Sequence, residues 1–317
     1  MKKESYDFVI IGAGVTGMAA AMYAARLGLK TLCLGASSGG EMPIGGLITT
    51  TENVENYPGF PCITGAELAE KIRNHAACYE LAKIRDEKVE KIEKSEKGFA
   101  VRTGKKEYIA KTLLFATGVK IKKLEIPGSR EFENKGVSYC ALCDGLLFKG
   151  KVVAVVGGAN SAAKNAMILA EHAKKVYILY RGEKMKIEQA NLKELEKNKK
   201  IEIVYNVNVK EIKGDKSVSY LVLDKEVKGG KKLEVSGVFI AIGYTPNSEL
   251  AKSLGVKTNK AGEIVIDYKN AETNVAGVYA AGNVADRAFK QAVVGVAEGC
   301  VAAYSAFEHI TKNKIEL

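Results

Sequence analysis

In this chain of 317 residues the clearest capacity for chemistry lies in Cys140, Cys143 and Asp144, within the run Cys140-Ala141-Leu142-Cys143-Asp144-Gly145. A Cys-x-x-Cys ring lowers the thiolate pKa of one sulfur and closes a reversible disulfide. That device suits two-electron exchange with a flavin and with the disulfide of another protein. The competing use of such a pair is half of a structural zinc site. Zinc needs four ligands, and there is no second Cys-x-x-Cys and no His pair, since His75, His172 and His309 are scattered, so no metal is expected. Six cysteines are too few for a disulfide framework in a chain this long, and Cys33, Cys62, Cys78 and Cys300 are expected to be small core residues. Asp144 by position alone reads as a helix-end carboxylate.

Two glycine turns stand upstream and downstream of one another at a separation of 145 residues. The first, Gly12-Ala13-Gly14-Val15-Thr16-Gly17, follows the apolar run Tyr6 to Ile11 and opens the small-residue helical stretch Gly14 to Leu27. In such a strand-turn-helix unit Gly12 makes the tight turn, Gly14 lets the backbone approach a pyrophosphate, and Gly17 lets helix and strand touch. The phosphate then rests on the helix N-terminus. The acidic ribose anchor usual after the second strand is missing, because Thr31 to Gly35 reads TLCLG. The second turn, Gly157-Gly158-Ala159-Asn160-Ser161-Ala162, follows the strand Val152 to Val156 and leads into a helix over Ala163 to His172 and a strand over Val176 to Tyr180. Two dinucleotide folds in one chain are predicted. Val209 to Gly237, with a turn at Gly229-Gly230, reads as short antiparallel strands on the second unit. Ala116-Thr117-Gly118 and Ala241 to Asn247 read as the connections between units.

Composition agrees with a globular chain of about two domains: 47% apolar residues and a net charge of +11. The longest apolar runs, such as Val152 to Val156 and Phe239 to Ile242, are strand-length, well below the ~20 residues of a membrane span, so none is expected. Lys2 and Lys3 are followed by an apolar segment that breaks at Gly12-Ala13-Gly14 without a cleavage site, and the expected location is the cytoplasm. Residues 118–242 carry 24 Lys+Arg against 15 Asp+Glu, a surplus of +9, so the positive charge belongs to the middle of the chain. It reads either as a solvated lysine-rich face, as over a helix Leu192 to Lys200, or as a docking face for an acidic partner. No aromatic-basic pattern accompanies it, and nucleic acid is not expected as a partner.

Taken in order, the segments resemble the low-molecular-weight thioredoxin reductases over essentially the whole chain. They are the first glycine turn, Thr49-Thr50-Thr51 with Val54-Glu55-Asn56-Tyr57-Pro58-Gly59, Ala116-Thr117-Gly118, the Cys140 to Gly145 run, and Gly277-Val278-Tyr279-Ala280-Ala281-Gly282 leading to Lys290-Gln291-Ala292. The resemblance implies an α/β fold of two Rossmann-like three-layer dinucleotide-binding domains, the second inserted in the first. Residues 1–117 and 243–317 would form a discontinuous FAD-binding domain, residues 118–242 a pyridine-nucleotide-type domain bearing the redox disulfide, and the protein a homodimer. It further implies that Cys143 faces the flavin, Cys140 attacks the partner disulfide and Asp144 handles the thiol proton. By the same resemblance Gly12, Gly14, Gly17, Thr51, Asn56, Thr117, Gly118, Gly282, Asn283, Gln291 and Ala292 line the FAD site.

The sequence departs from the family pattern at both nucleotide sites. The Asp that would accept a hydrogen bond from the FAD ribityl chain is Asn283, which can accept but without charge assistance. In the second site Gly157, Gly158, Asn160 and Ser161 are in place, but the middle glycine is Ala159, whose methyl occupies space the pyrophosphate would need. Of the arginine cluster that would clasp the NADPH 2′-phosphate, Arg181 and Lys186 remain, while the second arginine is Gly182. The expected activity is therefore that of a flavoprotein disulfide reductase. It would pass two electrons from a donor through FAD to Cys140–Cys143 and on to thioredoxin or a thioredoxin-like protein. The donor is left open between NADPH and an acidic carrier such as ferredoxin, or a deazaflavin. The alternative is a redox-inert flavin-binding or scaffold protein that has lost its donor site.

Overall fold

The computed structural model describes residues 4–37, 44–51, 54–187 and 189–315. Strand β1 (Glu4–Ile11) is buried at every position from Phe8 to Ile11, as an inner parallel strand covered on both faces must be. Helix α1 (Val15–Arg26) returns over it on an alanine face, Ala19, Ala20, Ala21, Ala24 and Ala25 all being buried. Strand β2 (Thr31–Gly35) then pairs parallel to β1. Helix α2 (Gly65–Ala77) begins at a capping box in which Thr64 Oγ1 accepts the Glu67 N–H and Glu67 accepts the Thr64 N–H, a cap worth ~1 kcal/mol. Strands β3 (Ala82–Asp86), β4 (Val89–Ser95), β5 (Gly98–Thr103) and β6 (Glu107–Phe115) complete the sheet order β3-β2-β1-β6-β5-β4. Strand β7 (Val119–Ile121) carries the chain out.

The inserted segment has its own parallel sheet. It runs through β8 (Val137–Ser138), the short helix α3 (Ala141–Asp144), β9 (Val152–Val156), α4 (Asn160–His172), β10 (Lys175–Tyr180), α5 (Gln189–Lys197) and β11 (Ile201–Tyr205). Strands β12 (Val209–Gly214), β13 (Val218–Val227) and β14 (Gly230–Glu234) form the antiparallel sheet expected there, and β15 (Gly237–Ile240) closes the parallel order β11-β10-β9-β15-β8. Strand β16 (Tyr244–Pro246) pairs with β7, so the outgoing and returning connections run side by side. After α6 (Glu249–Lys252), strand β17 (Val278–Ala280) joins β6. Strand β6 divides its edge: Glu107 to Ala110 pair with β5, and Leu113 to Phe115 with β17. Helix α7 (Ala292–Ile315) packs on α1, where Gly299 lies so close to Thr16 and Ala20 that a Cβ has no room.

By internal contacts one unit comprises Met1–Lys120 and Thr245–Leu317 and the other Ile121–Tyr244. Among the described residues no helix is long and apolar enough to cross a membrane.

Three local expectations are corrected. Helix α4 starts at Asn160 rather than Ala163, because Ala159 already has the extended backbone of a cap and its carbonyl accepts the Ala162 and Ala163 N–H groups. Helix α5 ends at Lys197 instead of continuing to Lys200, and Asn198 turns the chain by accepting the Lys200 N–H. Of the four cysteines expected in the core only Cys33 is buried; Cys62 and Cys78 are exposed and Cys300 is half-buried. Cys62 precedes the α2 capping box and Cys78 follows the last turn of α2, positions where the chain runs over the surface.

Candidate cofactor sites and redox disulfide

The first glycine turn is shaped by close backbone approaches. Gly12 has φ +114 and donates its N–H to Leu34 O at 2.7 Å, and a Cβ there would run into the Ala116 carbonyl. Gly17 sits equally tightly on the Gly12 carbonyl. Gly14 caps α1 with extended backbone and bridges to Gly45, which leaves the first N–H groups of a 12-residue helix facing outward at the turn. The opposite chain end meets this turn through Thr16, whose hydroxyl lies against both Gly282 (φ +74) and Gly295. Thr16 is a residue the sequence reading passed over as a variable position of the motif.

The remaining predicted flavin residues fall into two further groups. Asn56 Nδ2 donates to Gln291 Oε1 at 3.2 Å, joining a loop after β2 to the residue that precedes Ala292 at the start of α7. Asn56 also lines an open depression of about 550 Å³ with Tyr57 and Phe60. Thr51 ends a short 3-10 turn and accepts the Gly65 N–H. Thr117 donates its hydroxyl to Asn247 O at 2.7 Å, while Asn247 donates its side-chain amide to Thr117 O at 2.9 Å and its N–H to Gly118 O at 3.0 Å. Asn247 thus locks the two connections together. Asn283 lies in the 3-10 turn Gly282–Val284, and its carbonyl accepts from Lys290 Nζ at 3.0 Å. These residues fit a dinucleotide: Gly12 and Gly17 admit no side chain, Gly14 leaves space at the helix N-terminus, and amide groups lie at Asn56, Gln291 and Asn283.

The second turn has the same outline with different fillings. Gly157 (φ +152) packs on the Ala241 carbonyl, as the first glycine of such a turn should. Ala159 is the exposed cap of α4, next to Asn160 and the exposed Ser161. The ring of Tyr180, at the end of β10, lies directly on Gly158 and also on Gly182, where a Cβ would meet it at 2.8 Å. Residues 181–187 return along the turn, the Lys186 N–H donating to Gly158 O at 2.8 Å. Arg181 and Lys186 remain exposed beside it. The residues present do not make a 2′-phosphate clasp, since position 182 offers a hydrogen atom facing a tyrosine ring instead of a guanidinium.

Cys140 and Cys143 are joined as a disulfide with a Cα separation of 5.3 Å. Cys140 caps α3, and the Cys143 N–H points at Cys140 Sγ from 3.2 Å, a donor that favours charge on that sulfur. Asp144 closes the same helical turn, its Oδ2 accepting from Ser138 Oγ at 2.5 Å. Leu142, between the two cysteines, and Leu146 and Leu147, just after Asp144, are exposed at 46%, 53% and 60%. By contrast Cys33 is inert, full burial pushing its thiol up to about 12. Among the described residues no three His, Cys, Asp or Glu side chains converge on a metal position.

The family model described as pyridine nucleotide-disulphide oxidoreductase matches residues 6–299. A Clostridium pasteurianum protein called the 34.2 kDa protein in rubredoxin operon is 38% identical, covering 98% of this chain and 99% of its own. The thioredoxin reductase of Bacillus subtilis is 37% identical over 98% and 96% of the two chains. The crystal structure of thioredoxin reductase from Streptococcus pyogenes superposes with a TM-score of 0.88 at 33% identity, covering 98% of this chain and 100% of that one. The chain therefore belongs to the pyridine nucleotide-disulphide oxidoreductase family, as a thioredoxin-reductase-like flavoprotein disulfide oxidoreductase.

Proposed function

We propose that the protein reduces the disulfide of thioredoxin or a thioredoxin-like protein through Cys140 and Cys143, using FAD held by the unit made of the two chain ends. The observation that carries this reading is the Cys140–Cys143 disulfide with a backbone donor on Cys140 Sγ, a carboxylate one residue beyond, and exposed leucines in the same segment. The donor on Sγ stabilises a Cys140 thiolate for attack on the partner, leaving Cys143 to exchange electrons with the cofactor. Leu142, Leu146 and Leu147 offer surface on which a partner protein buries its own apolar rim. FAD, when bound, supplies a two-electron reservoir between donor and disulfide. Gly12, Gly14 and Gly17 would take its pyrophosphate, and Asn56, Gln291 and the Gly282–Asn283 turn its flavin end. A homodimer is consistent with the exposed apolar positions Val301 and Tyr304 on α7.

For the donor, we infer an acidic electron carrier protein in preference to NADPH. Ala159 and Gly182 both withdraw pyridine-nucleotide contacts, the Tyr180 ring fills the space beside Gly182, and residues 118–242 carry the +9 surplus. The deciding experiment is anaerobic mixing of the purified flavoprotein with NADPH, NADH and reduced ferredoxin in turn, followed by flavin absorbance and then by reduction of added thioredoxin. Rapid bleaching by reduced ferredoxin alone supports the proposal. Saturable bleaching by micromolar NADPH with no response to ferredoxin refutes the donor assignment and leaves the disulfide chemistry standing. Reduced flavin that never reduces a disulfide protein refutes the reductase reading itself.

A further inference from the structure

Two residues before the redox pair, at the end of β8, lies a buried serine. Ser138 is 6% exposed, on a strand flanked by β15 with Phe239 opposite. A buried hydroxyl without partners is destabilising, so a small apolar residue would serve the strand as well unless the hydroxyl is used. Here both of its capacities are spent on the site. The oxygen accepts the Cys140 N–H at 3.2 Å, and the proton is donated to Asp144 Oδ2 at 2.5 Å. The polarity of this chain is set from its first member: a backbone N–H can only donate, so the hydroxyl accepts there and is free to donate onward to the carboxylate.

We propose that Ser138 is a positioning residue of the disulfide site, tying the Asp144 carboxylate to the backbone of Cys140 and holding it ready for the thiol proton. The inference rests on the proposed role of Asp144 as acid/base. In the exchange, the Cys140 thiolate attacks one sulfur of the partner disulfide and expels the other as a thiolate. The Cys143 sulfur then attacks Cys140 of the mixed disulfide and expels the second partner thiolate. Two electrons pass to the partner, the Cys140–Cys143 bond reforms, and the two protons of the enzyme dithiol end on the two partner sulfurs. Asp144 carries one of these protons between sulfurs. A hydroxyl donating to its anion keeps it deprotonated and ready to accept, and removing the hydroxyl leaves the carboxylate more basic. The carboxylate is kept from swinging away because α3 is a single turn, Cys140 to Asp144, and Ser138 is the strand residue that reaches across it.

The test uses the full chain reduced with a small dithiol and freed of it. Iodoacetamide alkylation is followed from about pH 3, near the ordinary carboxylate range, up to about pH 9 on the tryptic peptide 136–149, which contains Cys140 and Cys143 and no other cysteine. Flavin and donor are not needed for this readout. Wild type is expected to show a carboxylate inflection that vanishes in Asp144→Asn. Ser138→Ala is expected to move that inflection upward by roughly 1 pH unit, the size of one lost charge-assisted hydrogen bond. The equal-shaped pair Ser138→Thr and Ser138→Val decides the matter even if the alanine variant folds poorly, the hydroxyl of Thr preserving the wild-type profile and Val following Ala. The charged or titratable groups on α4, which packs on α3, are Lys164, Glu171 and His172; they are unchanged in every variant, so a shift confined to hydroxyl loss is not theirs. Profiles of Ser138→Ala and Ser138→Val that superpose on wild type, with Asp144→Asn still altered, overturn the role of Ser138 alone. An unaltered Asp144→Asn profile overturns the role of Asp144 and this inference with it.

Discussion

Glu298 Oε2 accepts the Gly282 N–H at 2.8 Å, so a buried carboxylate from α7 holds the turn that presents Asn283. Its other oxygen faces Arg287 Nε at 2.7 Å in an ionic contact without hydrogen-bond alignment. Burial pushes the Glu298 carboxyl above its usual range, with the Gly282 N–H, Arg287 and Lys290 opposing. The carboxylate absent at position 283 thus exists next door, but it is spent on the backbone and on Arg287 and is not offered to a ligand.

Asn283→Asp is therefore expected to strengthen FAD binding, by ~1 kcal/mol or roughly five-fold in Kd, the difference between a charge-assisted and a neutral hydrogen bond. Flavin fluorescence released on dilution measures it. Equal flavin loss from both proteins would show the amide to be an adequate acceptor.

Replacing either sulfur removes the exchange while leaving the flavin-binding unit intact. Cys140→Ser and Cys143→Ser are each expected to retain FAD at the wild-type ratio and to lose thioredoxin reduction by at least about 10³-fold, since thiol–disulfide exchange through an internal disulfide requires both sulfurs. The flavin-to-protein absorbance ratio and a thioredoxin-coupled assay separate the two properties. Wild-type turnover in either variant would contradict the role of the pair.

Restoring the missing arginine alone is expected to fail. A side chain at position 182 meets the Tyr180 ring at 2.8 Å, so Gly182→Arg strains the loop at a cost of ~1–3 kcal/mol and brings little gain with NADPH. Combined with Tyr180→Ala, the guanidinium has room, and the NADPH concentration for half-maximal flavin reduction should fall roughly ten-fold. Stopped-flow flavin reduction across the two single variants and the double variant reads the coupling. Gains from Gly182→Arg equal to those of the double variant would show that Tyr180 is no obstacle.

An acidic protein donor implies steep salt dependence. Raising ionic strength from 0.1 to 1 M shrinks the Debye length from ~10 to ~3 Å, which screens a docking face far more than a small ligand in a pocket. The second-order rate of flavin reduction by reduced ferredoxin should fall by at least ~10-fold over this range. A flat profile would detach the +9 surplus from donor docking.

Acid stability should depend on the start of β1. Hydrogen bonds from Arg85 at 2.9 Å, Lys106 at 3.0 Å and Tyr6 at 2.8 Å hold the Glu4 carboxyl at about 2, below its ordinary value of 4.5. A depressed carboxyl contributes stability that is fully present above its unfolded value and lost as pH falls through its folded one. The difference in thermal midpoint between wild type and Glu4→Gln is expected to be constant above about pH 5 and to close between there and about pH 2. Because Glu4 is partly solvated the difference will be small; a gap unchanged at pH 2 would place the effect elsewhere.

What the sequence by itself determined is local and periodic. The apolar strand before Gly12, the glycine spacing of the turn that follows it, and the repeat of that pattern at Gly157 all arise within short windows, where local backbone freedom and hydrophobic pattern act on adjacent residues. The Cys140–Cys143 spacing belongs to the same class, since a ring of that size closes within one turn. The tertiary structure decided the contacts between residues far apart in the chain. Asn56 meets Gln291 across 235 positions, Thr16 fills the hollow at Gly282 and Gly295, and Tyr180 covers Gly158. It also placed Ser138 under Asp144 and sent Cys62 and Cys78 to the surface, because side-chain direction at a strand end or after a helix follows from packing on neighbouring elements rather than from residue type.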